Sequence, residues 1–194
     1  MQSSPVIAVA TAGFGVVLAL LAAFGMRAAG KPSPSASAPI WSETKWPFLV
    51  DQWGTGRAFV CGASDCGGKV EIFIRPKVGF CNCSTGVSDE AELERVADTE
   101  LLARELRPLG PGHAIKVGWM RGLSRLYAPA DEKAPERLLS VAFNDECDVV
   151  VAVARLEGGD AAALAGAVIA FLNSNPMVLW AKKELGLEFV RREW

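Results

Sequence analysis

Apolar positions recur along this chain at three different spacings, and each spacing predicts a different element. Between Pro5 and Arg27 stands VIAVATAGFGVVLALLAAFGM, 21 consecutive uncharged residues. At about 1.5 Å of rise each, these reach across the roughly 30 Å hydrocarbon core of a bilayer, so residues 1–27 are expected to form a transmembrane anchor. Residues 28–40 are mostly Ala, Gly, Pro and Ser with one Lys, too poor in bulky side chains to pack, and read as an extended linker. Folded sequence begins near Trp41, where Trp41, Trp46 and Trp53 arrive close together, and residues 41–194 form the expected domain.

Within that domain the period shortens to two. Residues 57–63 (RAFVCGA) and 69–75 (KVEIFIR) are β-rich, and in the second Val70, Ile72 and Ile74 alternate with Lys69, Glu71 and Arg75. Phe73 is an apolar exception on the polar side. The two runs predict a hairpin around S-D-C-G-G. From Ser88 to Leu106 the period lengthens again: Leu93, Val96, Ala97, Leu101 and Leu106 fall near one helical face. Ser88 is placed to cap this helix, Asp89 and Glu90 complement its dipole, and Pro108 and Gly110 end it. Residues 115–127 predict two strands around Arg121-Gly122, and residues 138–143 and 149–156 two more joined by N-D-E-C-D. Asp160 then caps AAALAGAVIAFL, and Asn175-Pro176 starts a last helix. Paired strands followed by helices predict an α+β domain, a mostly antiparallel sheet with the C-terminal helices packed on it.

Charge narrows the function. With 20 Lys plus Arg against 22 Asp plus Glu, the net charge of -2 offers no global attraction to nucleic acid, which is not expected as a partner. The nearest small-residue cleavage context, Ala36-Ser37-Ala38, precedes Pro39 and lies well past the apolar run, so the anchor is expected to stay attached. Its orientation is contested. Arg27 and Lys31 follow the span and pull the domain toward the cytoplasm, whereas clustered cysteines and an extended stalk suit an oxidising compartment. The cysteines decide the expectation: a single-pass protein of the bacterial inner membrane with its domain in the periplasm. Gly15, Ala19 and Ala23 form a small-residue ridge on the anchor, which suits close packing against the helix of a membrane partner or complex.

Four cysteines lie in residues 61–83, as C-x4-C followed by C-x-C. Residues i and i+2 of a strand have Cα atoms roughly 6.6 to 6.8 Å apart, at the limit for a bridge. Cys81 and Cys83 are therefore expected to pair with Cys61 and Cys66 as two structural disulfides, and Cys147 to be a buried free thiol. No cofactor is expected on this reading. The alternative is a zinc or copper site that uses Cys61, Cys66, Cys81 and Cys83 as thiolate ligands. A second alternative is a thiol-disulfide redox protein, although the helix-start C-x-x-C of such proteins is missing.

Other residues are weaker candidates. His113 lacks a nucleophile partner by spacing and reads as a turn residue. Arg75, Lys77, Lys116, Arg121 and Arg125 form either a basic patch for an anion or lipid head group, or the solvated charges that protect strand edges. Asp89, Glu90, Glu92, Glu94, Asp98, Glu100 and Glu105 read as the outer face of an amphipathic helix. The stretch DQWGTGRAFVCGASDCGGKVEIFIRPKVGFCNCSTGVSDEAEL, about a quarter of the chain, resembles a segment of uncharacterised exported or membrane-anchored, cysteine-containing proteins of alphaproteobacterial type. The resemblance carries no activity and no catalytic residue. Taken together these features predict a membrane-anchored periplasmic accessory or binding subunit of an inner-membrane complex, without catalysis.

Overall fold

The alternation in KVEIFIRPK becomes a strand with both faces buried, which accounts for Phe73 among its charged neighbours. The computed structural model describes residues 39–130 and 135–187, all within one compact unit, Ala38–Trp194. The other unit, Met1–Ser37, holds the expected anchor with Gly15, Ala19 and Ala23 and most of the linker, and lies outside the described residues.

Among the described residues eight strands form one sheet: β1 (Ser42–Thr44), β2 (Arg57–Cys61), β3 (Lys69–Lys77), β4 (Leu106–Pro108), β5 (His113–Val117), β6 (Met120–Pro129), β7 (Arg137–Asp145) and β8 (Asp148–Glu157). The order is β1-β2-β3-β8-β7-β6-β4, with β5 also on β6, and every pairing is antiparallel. Among the described residues four α-helices accompany it: α1 (Ala63–Cys66), α2 (Glu90–Val96), α3 (Ala161–Leu172) and α4 (Asn175–Glu184). The α+β class, the antiparallel sheet and the C-terminal helices are as the sequence predicts.

One face of the sheet carries Ile72, Ile74, Val141, Phe143, Val150 and Ala154, packed with Leu164, Val168, Leu172, Met177 and Ala181 of α3 and α4. Asp160 caps α3 by accepting from the Ala162 and Ala163 amides. Among the described residues no single helix is long and apolar enough to cross a membrane. The pair α3 and α4 has the composition, but it bends by 63° and turns its apolar stripe onto the sheet. The opposite face is covered by irregular chain and α2. There Cys81, Val87, Leu93 and Val96 meet Leu123, Ala142, Val149 and Val151, while Trp46, Phe48 and Leu102 cover Phe73, Tyr127 and Leu138.

Two predicted elements are reorganised. The helix expected over residues 88–106 stops at Val96, and Asp89, not Ser88, caps it by accepting from the Glu92 amide at 2.8 Å. Ala97 is extended, Lys77 Nζ donates to the Val96 carbonyl at 2.7 Å, and Asp98 turns into the sheet. Leu106 then enters β4 instead of ending a helix. The second hairpin turns at Gly118-Trp119, not at Arg121-Gly122, with Gly118 at a φ of 59°. That is the conformation glycine supplies at low cost in a two-residue hairpin turn.

Candidate functional site

The cysteines pair differently from the expectation. Cys61 bonds Cys66, five positions on at the end of α1, and Cys83 bonds Cys147 in the β7-β8 turn. Cys81 is the free, buried thiol. The cause is topological: Cys61 ends β2 and α1 folds Cys66 back beside it, whereas the chain after β3 lies against the β7-β8 turn, where the Cys81 amide donates to the Cys147 carbonyl at 3.1 Å. Sequence reasoning assigned Cys147 the role that Cys81 has, because it treated the four clustered cysteines as a closed set.

With Cys61, Cys66 and Cys83 in disulfides, the four-thiolate metal set is not assembled, and among the described residues no group of three or more His, Cys, Asp or Glu is placed to hold a metal ion. Cys81 donates to the Glu146 carbonyl at 3.2 Å. Burial, with the charges of Glu92 and Asp148 adding to it, pushes its pKa up to about 11. This is the reverse of the depressed thiol that disulfide exchange catalysis uses.

The basic residues separate into two groups. Arg75 and Lys77 point from β3 under the covering chain, only 2% and 3% exposed, and do not join a surface patch. Asp98, equally buried, accepts from Arg75 Nε at 2.6 Å and Nη2 at 2.9 Å and pairs with Lys77 Nζ at 2.6 Å. Arg75 Nη1 also reaches Asp51 at 2.7 Å. Burial opposes the charge on Arg75, but the Asp98 and Asp51 carboxylates outweigh it and raise its pKa. Ions are costly to desolvate, and this balanced set fastens both covering segments to β3. Asp98 is thus a structural counter-ion and no part of an acidic outer face. Its neighbours are also engaged: Glu90 accepts from the Gly112 amide, Glu92 from Asn82 and Arg95, and Glu94 from Arg125. Arg125 is thereby removed from the patch.

Lys116 and Arg121 remain, and the corrected hairpin register sets them directly opposite each other. Arg121 in turn faces Asn144 on β7. These three residues line a cleft of about 540 Å³ with Thr85, Val87, Ser88, Ala114, Ile115 and Leu123. Its floor is the β5-β6-β7 edge of the sheet, where the covering chain stops short. Its wall is the loop 85–88, which Asn144 fixes by accepting from the Val87 amide at 2.9 Å while donating to the Glu146 carbonyl at 2.8 Å. Gly86, at a φ of 60°, lies against the Asn144 amide with no room for a side chain. Sequence reasoning grouped Lys116 and Arg121 with the other bases and missed Asn144, Thr85 and Ser88. His113 is an exposed residue of β5 whose carbonyl accepts from Ser124 Oγ at 3.5 Å. No protein-family model matches this sequence, and no curated protein matches it significantly.

Proposed function

We propose that this chain is a membrane-anchored extracytoplasmic binding domain, an accessory subunit without catalysis that meets a membrane protein or complex through its N-terminal helix. The observation that carries the reading is the pair of disulfides. Stable structural bridges belong to oxidising compartments, and here they fasten the β2 end to α1 and the covering chain to the β7-β8 turn. Arg27 and Lys31 argue for the opposite orientation, but a bias of two charges is the weaker constraint on a domain that depends on oxidative folding. The open cleft supplies a place for a ligand, and the raised Cys81 pKa weighs against a redox enzyme.

Alkaline phosphatase fused after Trp194 tests the location, since that reporter folds only where disulfides form. An active fusion is expected. An inactive phosphatase with a fluorescent cytoplasmic reporter at the same position overturns the reading.

A further inference from the structure

The geometry points to the cleft between the β5-β6 hairpin and loop 85–88 as a binding site for a phosphate-bearing ligand, held by Lys116 and Arg121. The inference rests on the reading of the chain as a binding domain and gives that domain a ligand class. Its starting point is an electrostatic mismatch. On the described strands Arg57, Lys69, Arg75, Lys77, Arg125 and Arg155 each meet a carboxylate. Lys116 and Arg121 meet none among the described residues; Arg107 of β4 meets none either, but only Lys116 and Arg121 occupy directly opposed positions on neighbouring strands. Like charges in that arrangement repel, so the pair is unfavourable until an anion lies between them.

The chemistry of the anion follows from the charge it must balance. A carboxylate brings one negative charge, whereas a phosphate monoester brings about 1.5 to 2 at neutral pH and three strong acceptor oxygens. The latter matches one guanidinium fork and one ammonium. Ser88 offers a hydroxyl from the wall, and Thr85 another once it exchanges its 3.4 Å hydrogen bond to the Gly86 carbonyl. The backbone amides of Ser84, Thr85 and Val87 are already taken, by Asn82 and Asn144, so recognition falls to side chains. Val87 and Leu123 give the cleft an apolar portion beside the cations, and its volume suits a small organic phosphate or a lipid head group.

Calorimetric titration of the full chain in a maltoside detergent, which carries no phosphate, tests the site. The probes are inorganic phosphate, glycerol 3-phosphate and dihexanoyl phosphatidic acid, with glycerol and acetate as controls. The phosphate probes are expected to bind. Lys116→Ala and Arg121→Ala should each weaken them at least tenfold, and the double variant should abolish binding without a fall in melting temperature; Lys45→Ala should leave affinity unaltered. Phosphatidic acid binding tenfold or more tighter than glycerol 3-phosphate identifies a lipid source, and equal affinities identify a soluble phosphate ester. No binding of any phosphate probe, undiminished binding by the double variant, or acetate binding as tightly as phosphate overturns the inference. Location is tested separately: an inactive phosphatase fusion in a chain that still binds phosphate rejects the location alone, and an active fusion in a chain that binds none rejects the cleft alone.

Discussion

Asp98 meets Arg75 through two parallel hydrogen bonds, at 2.6 and 2.9 Å, with both side chains almost wholly removed from water. Removing one member of such a pair strands the other. Asp98→Asn keeps the shape but leaves Arg75 and Lys77 short of a counter-charge, and should destabilise the domain by about 3 to 5 kcal/mol. Glu43→Gln, which breaks the exposed pair with Arg57, should cost no more than about 1 kcal/mol. Urea unfolding midpoints measure both, and equal shifts would refute the structural role given to Asp98.

The disulfide pattern makes a labelling experiment decisive. Alkylation of unfolded, unreduced protein should mark Cys81 alone. The Cys83–Cys147 bridge closes a sequence separation of 64 residues, and the chain-entropy model assigns its loss about 4 kcal/mol. Cys61–Cys66 closes only five, for about 2 kcal/mol. Cys83→Ser should therefore lower the unfolding midpoint more than Cys61→Ser. Label on Cys147 in place of Cys81 would reject this connectivity.

Stability should also fall in alkali through Cys81. Its folded pKa of about 11 lies above the ordinary thiol value of 9.0, so between these values the folded state holds a proton that the unfolded chain has lost. The contribution is fully present below the lower value and disappears as pH rises through the upper one, a loss on the order of 2 kcal/mol. Unfolding free energies of wild type and Cys81→Ala, compared at several pH values, isolate this contribution. The wild type should lose stability faster above pH 9, and parallel profiles would show that burial of Cys81 is not felt.

Asn144 holds the cleft wall without facing a ligand through its own free groups, since its oxygen and nitrogen are both bonded to backbone. Asn144→Ala leaves the Val87 amide unpaired and should cost about 1 to 3 kcal/mol. It should also loosen loop 85–88. Faster amide exchange confined to that loop and the β7-β8 turn is the expected signature, and unchanged exchange at Val87 would count against the anchoring role.

Much of the sheet was legible because apolar runs bounded by turn residues mark β3, β7 and β8, with alternation in β3, and the Asp160 cap and Pro176 in the first turn of α4 were local signals. What escaped were features set by distant chain. The β5-β6 turn was read three residues too late, since Arg121-Gly122 and Gly118-Trp119 both suit a turn, and only the pairing with β7 selects the second. That shift hid the opposition of Lys116 and Arg121. The helix over residues 88–106 was overextended because its apolar spacing continues past Val96, while the groups that stop it, Lys77 and Arg75, lie on another element. The cysteine pairing failed likewise, since nothing local marks Cys147 as a neighbour of Cys83.

The sheet order also dictates what synthesis must wait for. Strand β3 is flanked by β2, its neighbour in sequence, and by β8, which ends at Glu157. As the chain emerges from its N-terminus, the β2-β3 hairpin and Cys61–Cys66 can form early, but the second edge of β3 stays open until nearly the whole domain has appeared. During that interval Cys83, two residues from the free thiol of Cys81, waits for a partner that has yet to emerge. The topology thus makes Cys83–Cys147 the later of the two bridges to become possible, because one of its partners sits in the β7-β8 turn.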